Sequence, residues 1–299
     1  MFRLPALLPG LSKLVPFGAL GPASGGRPRM VHRSTRVAGQ VVRYGLVEAD
    51  GPTVVLVHGW GLGHSSYALA AEELATRGFR VVVPDLPGFG GSTDLGFSKV
   101  SFVAFAAALA RLLAEVVGEE TPVHVVGHSF GGAVCAQFAH DWPHLAASAV
   151  LVDAVAGVTW SRDESVERLL SERPLWHWGL HLLREFPTQS FPTAATALLR
   201  DLSRNVALHL PSLGLVAHII RRSDLRRELS GAVARGVPVS VVWASDDRVI
   251  TRASFEDQCR AAGCAGVVVH GNHGWPLTDP VSFGWVIGDL LLGSAVAAA

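Results

Sequence analysis

One stretch constrains the fold of this chain more than any other: Val123-His124-Val125-Val126-Gly127-His128-Ser129-Phe130-Gly131-Gly132-Ala133-Val134-Cys135-Ala136. A short apolar run with β propensity ends at Gly127, and a run of small, helix-compatible residues begins after Ser129. The pentapeptide Gly127-His128-Ser129-Phe130-Gly131 fits G-x-S-x-G, which sets a serine on a sharp turn from strand into helix. The flanking glycines carry no side chain, so strand and helix can close around a strained residue. A helix N-terminus behind the serine adds positive potential where an alkoxide or oxyanion would form. The bland alternative is a tight structural turn with an ordinary serine.

The strands around this turn read as a parallel sheet. Thr53-Val54-Val55-Leu56-Val57 is an unbroken apolar run, as expected of a strand buried on both faces. Phe79–Val83, Ser148–Val152, Val237–Trp243 and Val267–Val269 repeat the pattern, alternating with helical segments at Ser65–Arg77, Phe102–Val117 and Ala253–Ala262. Thr35–Ala49 reads as a β-hairpin turning at Ala38-Gly39-Gln40, and Asp279 to Leu292 as a closing helix. Asp289 and the glycines in that last helix argue against a membrane span.

The 299 residues, 49% of them hydrophobic and 17% charged, suffice for a large buried core and argue against disorder. A formal net charge of zero gives no footprint for nucleic acid. Three cysteines cannot form a fully paired framework. Cys135 reads as buried packing, Cys259 and Cys264 could pair although reduced thiols are the default, and no spacing suggests zinc.

The pattern changes twice. Residues 1–29 are broken by Pro5, Pro9, Pro16, Pro22 and Pro28 and read as a loosely ordered tail. A peripheral membrane contact or an export signal are the other readings of this tail, Met30 is a second candidate start, and a cytoplasmic location is the expectation. Residues 158–234 carry charged helical segments (Glu164–Arg173, Ala194–Arg204, Leu213–Arg222) with Trp176, Trp178 and Phe186 between them. They read as a helical cap inserted into a core of residues 30–157 and 235–299. Ligands in open α/β sheets bind at the strand C-termini, which such an insert would cover.

From Val37 to Leu292 the chain resembles the α/β-hydrolase family, in its serine-nucleophile members with a helical cap. The resemblance rests on Gly127–Gly131, His58-Gly59-Trp60-Gly61, the turn-rich loop Pro84–Ser92, Trp243–Ile250 and His270–Pro276. It implies an α/β fold: a mostly parallel sheet flanked by helices, with an inserted cap. It also implies Ser129 as nucleophile, His273 as base and Asp247 as the acid that orients the base, in the chain order this fold uses. Backbone N–H groups of Trp60 and Phe130 would form the oxyanion hole. Ala244 stands where the family usually has glycine in its acid loop. Asp153, at the end of the strand after the nucleophile helix, and Asp246 remain alternatives to Asp247. His58 and Asp85 read as braces for their loops.

The implied chemistry is cleavage of carboxylic esters, thioesters or lactones through an acyl-enzyme, with no cofactor and no metal. A carbon–carbon bond hydrolase of β-diketone-type substrates and a non-catalytic ligand-binding member of the fold are the alternatives. A serine in place of a carboxylate nucleophile disfavours dehalogenase and epoxide-hydrolase chemistry. The cap aromatics suggest a small-molecule substrate with an apolar acyl or aromatic group.

Overall fold

The computed structural model describes residues 26–96, 99–157 and 192–297. Eight strands form one sheet in the order β1-β2-β4-β3-β5-β6-β7-β8. They are β1 (Val31–Val37), β2 (Gln40–Val47), β3 (Thr53–Val57), β4 (Arg80–Pro84), β5 (Val123–His128), β6 (Ala146–Val152), β7 (Val239–Ala244) and β8 (Val267–Val269). The β1–β2 and β2–β4 pairings are antiparallel, and every pairing from β4 to β8 is parallel. The hairpin turns at Ala38 and Gly39, both with positive φ (49° and 81°), the conformation that matches the twist of tight two-residue hairpins.

The apolar runs are unbroken because both faces of the sheet are covered. Val55, Val57, Val125 and Leu151 face a layer containing α2 (Phe102–Val116), α3 (Phe130–Asp141), α5 (Arg226–Ala234) and α6 (Arg252–Ala262). Val54, Leu56, Val126, Val150 and Val152 face the opposite layer, with α1 (Ala68–Thr76) and α8 (Pro280–Ala297). Alternate residues of a strand point to opposite faces, so each strand serves both cores. Ser101 and Thr251 start α2 and α6 by accepting the N–H of Ala104 and of Ser254, and Gly263 ends α6 in a left-handed conformation.

The described part of the insert is helical, as expected. The segments Ala194–Arg204 and Leu213–Arg222 fall on two helical stretches, together α4 (Pro192–Ile220), that meet at a kink where His209 leaves helical geometry (φ −130°, ψ 25°). Pro211 explains the kink, since it removes one amide donor and crowds the preceding turn. Glu164–Arg173, Trp176, Trp178, Phe186 and most of the N-terminal tail lie outside the described residues. A short helix, α7 (Trp275–Thr278), follows β8. Among the described residues no helix is long and apolar enough to cross a membrane.

Candidate active site

Parallel strands end on the same side, and this brings the candidate residues to one edge. The loops after β3, β5, β6, β7 and β8 carry Trp60, Ser129, Asp153, Asp247 and His273. Ser129 sits between β5 and α3 with φ 53° and ψ −116°, a left-handed conformation that strains a non-glycine residue. Its N–H bonds to the carbonyl of Val152 at 2.9 Å, which pins the turn to the end of β6. The glycines are a steric requirement. A Cβ on Gly127 would lie 2.3 Å from the Gly131 carbonyl oxygen, and one on Gly131 would lie 2.3 Å from that of Val57. Phe130 is the first residue of α3, so its N–H has no intrahelical acceptor.

Asp247 and His273 are joined. Nδ1 of His273 donates to Oδ2 of Asp247 at 2.8 Å, and both side chains are buried. The other carboxylate oxygen of Asp247 accepts N–H groups of Val249 (2.6 Å) and Ile250 (2.8 Å), so the acid is held from its own loop. Asp246 is different. Its side chain is exposed and lies 3.6 Å from the exposed His270. Among the described residues the Ser129 hydroxyl makes no hydrogen bond, to His273 or any other group. Nucleophile–base contacts of this kind are often long before substrate arrives and tighten in the complex.

Asp153 is buried just behind the Asp247–His273 pair. Its φ is 46°, and its Oδ1 accepts the Ala244 N–H at 2.8 Å. Burial, reinforced by the neighbouring Asp247 carboxylate, pushes the Asp153 carboxyl well above the usual carboxylate range. Both effects favour the uncharged acid. Its Oδ2 is buried with no hydrogen-bond partner among the described residues.

Two supporting residues give no sequence signal of their own. His128 fills the first variable position of the pentapeptide. Gly59 N–H donates to the Tyr67 hydroxyl at 3.0 Å, so that hydroxyl donates in turn to His128 Nδ1 at 2.6 Å. His128 must then carry its proton on Nε2, which donates to the backbone carbonyl of His273 at 2.8 Å. Burial, and the nearby His273, hold His128 well below the ordinary histidine range. This chain ties the loop after β3 to the elbow and the elbow to the His273 loop. It was out of reach of sequence reasoning because Tyr67 lies in a helix unrelated to any motif.

His58 braces its loop: Nδ1 donates to the Gly59 carbonyl at 2.8 Å, and Nε2 accepts the Leu86 N–H at 3.0 Å. Burial lowers its pKa, so it stays neutral. Asp85 likewise holds its loop, accepting N–H groups of His64 (2.7 Å) and Gly91 (2.9 Å) and Nδ1 of His64 (2.8 Å). Burial alone would raise the Asp85 carboxyl, but the bonds and charge from His64 outweigh it and hold the group below its ordinary value. His128, Asp153 and His273 bring ligand-type atoms within 4.8 Å of one another. Both His128 nitrogens are already engaged, to the Tyr67 hydroxyl and the His273 carbonyl, so His128 has no free nitrogen for a cation.

The helix α4 lies over this edge. The Trp60 indole N–H donates to the Leu213 carbonyl at 3.0 Å. Asn205 donates to the carbonyls of Gly61 (2.8 Å) and Leu62 (3.1 Å) and accepts the Gly90 N–H at 2.7 Å.

Comparison with known proteins agrees with the fold. Residues 54–283 match the family model described as "Alpha/beta hydrolase family". An uncharacterized protein of Mycobacterium tuberculosis is 35% identical over 159 residues, covering 52% of this chain and 42% of that protein. The chain thus spans less than half the length of the first curated relatives it matches. A pimeloyl-[acyl-carrier protein] methyl ester esterase of Aeromonas hydrophila is 36% identical over 115 residues, 38% of this chain and 42% of that one. A solved structure, that of a bacterial membrane phospholipase A, superposes with a TM-score of 0.73 at 24% identity, over 89% of this chain and 87% of that one. At that identity the likeness is one of fold.

Proposed function

Because the chain belongs to the α/β-hydrolase family, we propose that it is a serine hydrolase cleaving carboxylic esters, or the related thioesters and lactones. The observation that carries this reading is the buried 2.8 Å bond between His273 and Asp247, at the same sheet edge as the strained Ser129. The methyl ester esterase among its relatives supports the ester class.

In this mechanism Ser129 Oγ attacks the substrate carbonyl while His273 Nε2 takes its proton. Asp247 stays ionised, fixes the Nδ1–H tautomer and stabilises the imidazolium. The N–H groups of Trp60 and Phe130 receive the oxyanion, and the start of α3 adds positive potential there. The tetrahedral intermediate collapses as His273 protonates the leaving alkoxide. Water then attacks the acyl-enzyme, giving its proton to His273, and the acid leaves as that proton returns to Ser129.

A fluorophosphonate probe with a p-nitrophenyl ester series tests the proposal. Wild type should be labelled and Ser129→Ala should not, with ester turnover lost in parallel. Failure of labelling would favour a ligand-binding protein. Labelling without ester turnover, but with turnover of a ring-cleavage dienoate, would favour carbon–carbon hydrolysis. The ester series, extended by chain length, also tests the expected apolar acyl or aromatic group.

A further inference from the structure

We propose that the cleft between the β1–β2 hairpin and the cap helix α4 is a binding site for a phosphate-bearing ligand. Four arginines line a cavity of about 430 Å³ there, Arg33 and Arg43 from the hairpin and Arg200 and Arg204 from α4. None of Ser129, Asp247 and His273 borders it. Among the described residues none of the four arginines forms an ion pair. Arg200 donates to the Ser65 hydroxyl at 2.7 Å.

The two carboxylates in the cavity wall, Asp85 and Asp201, offset only part of this charge and leave an excess of positive charge, and both are already hydrogen-bonded elsewhere. Asp85 is filled by His64 and Gly91, as described above. Asp201 accepts the Ser66 N–H at 3.0 Å and the Ser66 hydroxyl at 2.7 Å. Like charges gathered on a concave wall repel, and a bound anion removes that repulsion.

The donor count selects the anion. Guanidinium forks match the oxygens of carboxylate and phosphate alike. Four forks offer more donors than the two oxygens of a carboxylate can accept, whereas a phosphate ester presents three strong acceptor oxygens. The volume falls within the range of small-molecule sites, roughly 300–1,000 Å³. The walls are also fixed in advance. Asn205 and Asp201 lock α4 to the loops after β3 and β4, so little ordering is needed on binding. A phosphate held by both arginine pairs would clasp the hairpin to the cap helix.

Calorimetric titration of the full chain at low ionic strength tests this, with inorganic phosphate, sn-glycerol 3-phosphate, and phosphatidylcholine vesicles containing phosphatidic acid as separate probes. Arg33→Gln with Arg43→Gln is one variant and Arg200→Gln with Arg204→Gln the other, so that misfolding of either leaves a test. Arg252→Gln, which lies on α6 and pairs with Glu256, is the control. Saturable binding should weaken by about tenfold or more in each double variant and stay unchanged in the control. Vesicle binding that disappears in the double variants identifies a lipid headgroup, and binding of the soluble probes alone identifies a free phosphate compound. The proposal is overturned if no probe binds saturably, if binding survives in the double variants, or if the control loses as much as they do.

Discussion

His128 donates its Nε2–H to the backbone carbonyl of His273 at 2.8 Å, so the residue before Ser129 holds the loop of the proposed base. The bond spans two loops that close on each other only in the folded sheet. His128→Ala would leave that carbonyl without its donor and the Tyr67 hydroxyl without its acceptor. The expected loss is about 1–3 kcal/mol of stability, read from denaturant unfolding. Displacing the His273 loop should also lower kcat by up to about 100-fold, with KM little changed. An unaltered kcat would show that His128 only packs.

Ser129 lies where glycine is at ease. Replacing it with alanine keeps the strain, while glycine relieves it at some entropic cost. Ser129→Gly should therefore exceed Ser129→Ala in stability by about 1 kcal/mol. Comparing the two denaturation midpoints checks this, and equal midpoints would mean the turn stores no strain.

The two buried acids should respond differently to loss of charge. Asp247→Asn removes the anion that supports the imidazolium and should lower kcat by about 10⁴-fold. Asp153→Asn replaces a carboxyl whose burial favours the uncharged form and should leave kcat within about tenfold. The reverse ranking would make Asp153 the triad acid.

The raised pKa of the Asp153 carboxyl sets a stability trend with pH. Its folded pKa lies above the unfolded value near 3.8, so between the two the native state holds a proton that the unfolded chain has released. Stability is fully present below about pH 3.8 and falls as pH rises toward the folded value, by about 1.4 kcal/mol per unit from this group. Asp153→Asn should remove that slope, as measured by urea unfolding from pH 4 upward.

His58 and His128 act in the opposite sense. Burial lowers both, so below the unfolded value of 6.5 the unfolded chain binds protons that the native state refuses. Their contribution is present above about pH 6.5 and is lost as pH falls, at about 1.4 kcal/mol per unit for each. Unfolding of wild type against His58→Gln between pH 7 and 5 should show the smaller slope in the variant.

Much of this molecule was legible along the chain. The strand runs, the turn at Ala38-Gly39 and the elbow at Ser129 are local patterns, fixed by residues within a few positions of each other. The spacing from Trp243 to Asp247, and from Val269 to His273, already set both groups just past neighbouring strands. The helical segments on either side of Pro211 were legible too, but not that they meet directly at a kink at His209 with no loop between them.

Sequence by itself determined the family, the parallel sheet and which side chains follow which strand. These depend on side-chain periodicity and backbone sterics, which act over short range. Only the tertiary structure decided that burial and Asp247 raise the pKa of Asp153, that Tyr67 and His128 brace the His273 loop, and that four arginines from the hairpin and α4 face one cavity. Proton affinity and charge density depend on which groups become neighbours and how much water they lose, and distant segments acquire those neighbours only when the sheet is assembled.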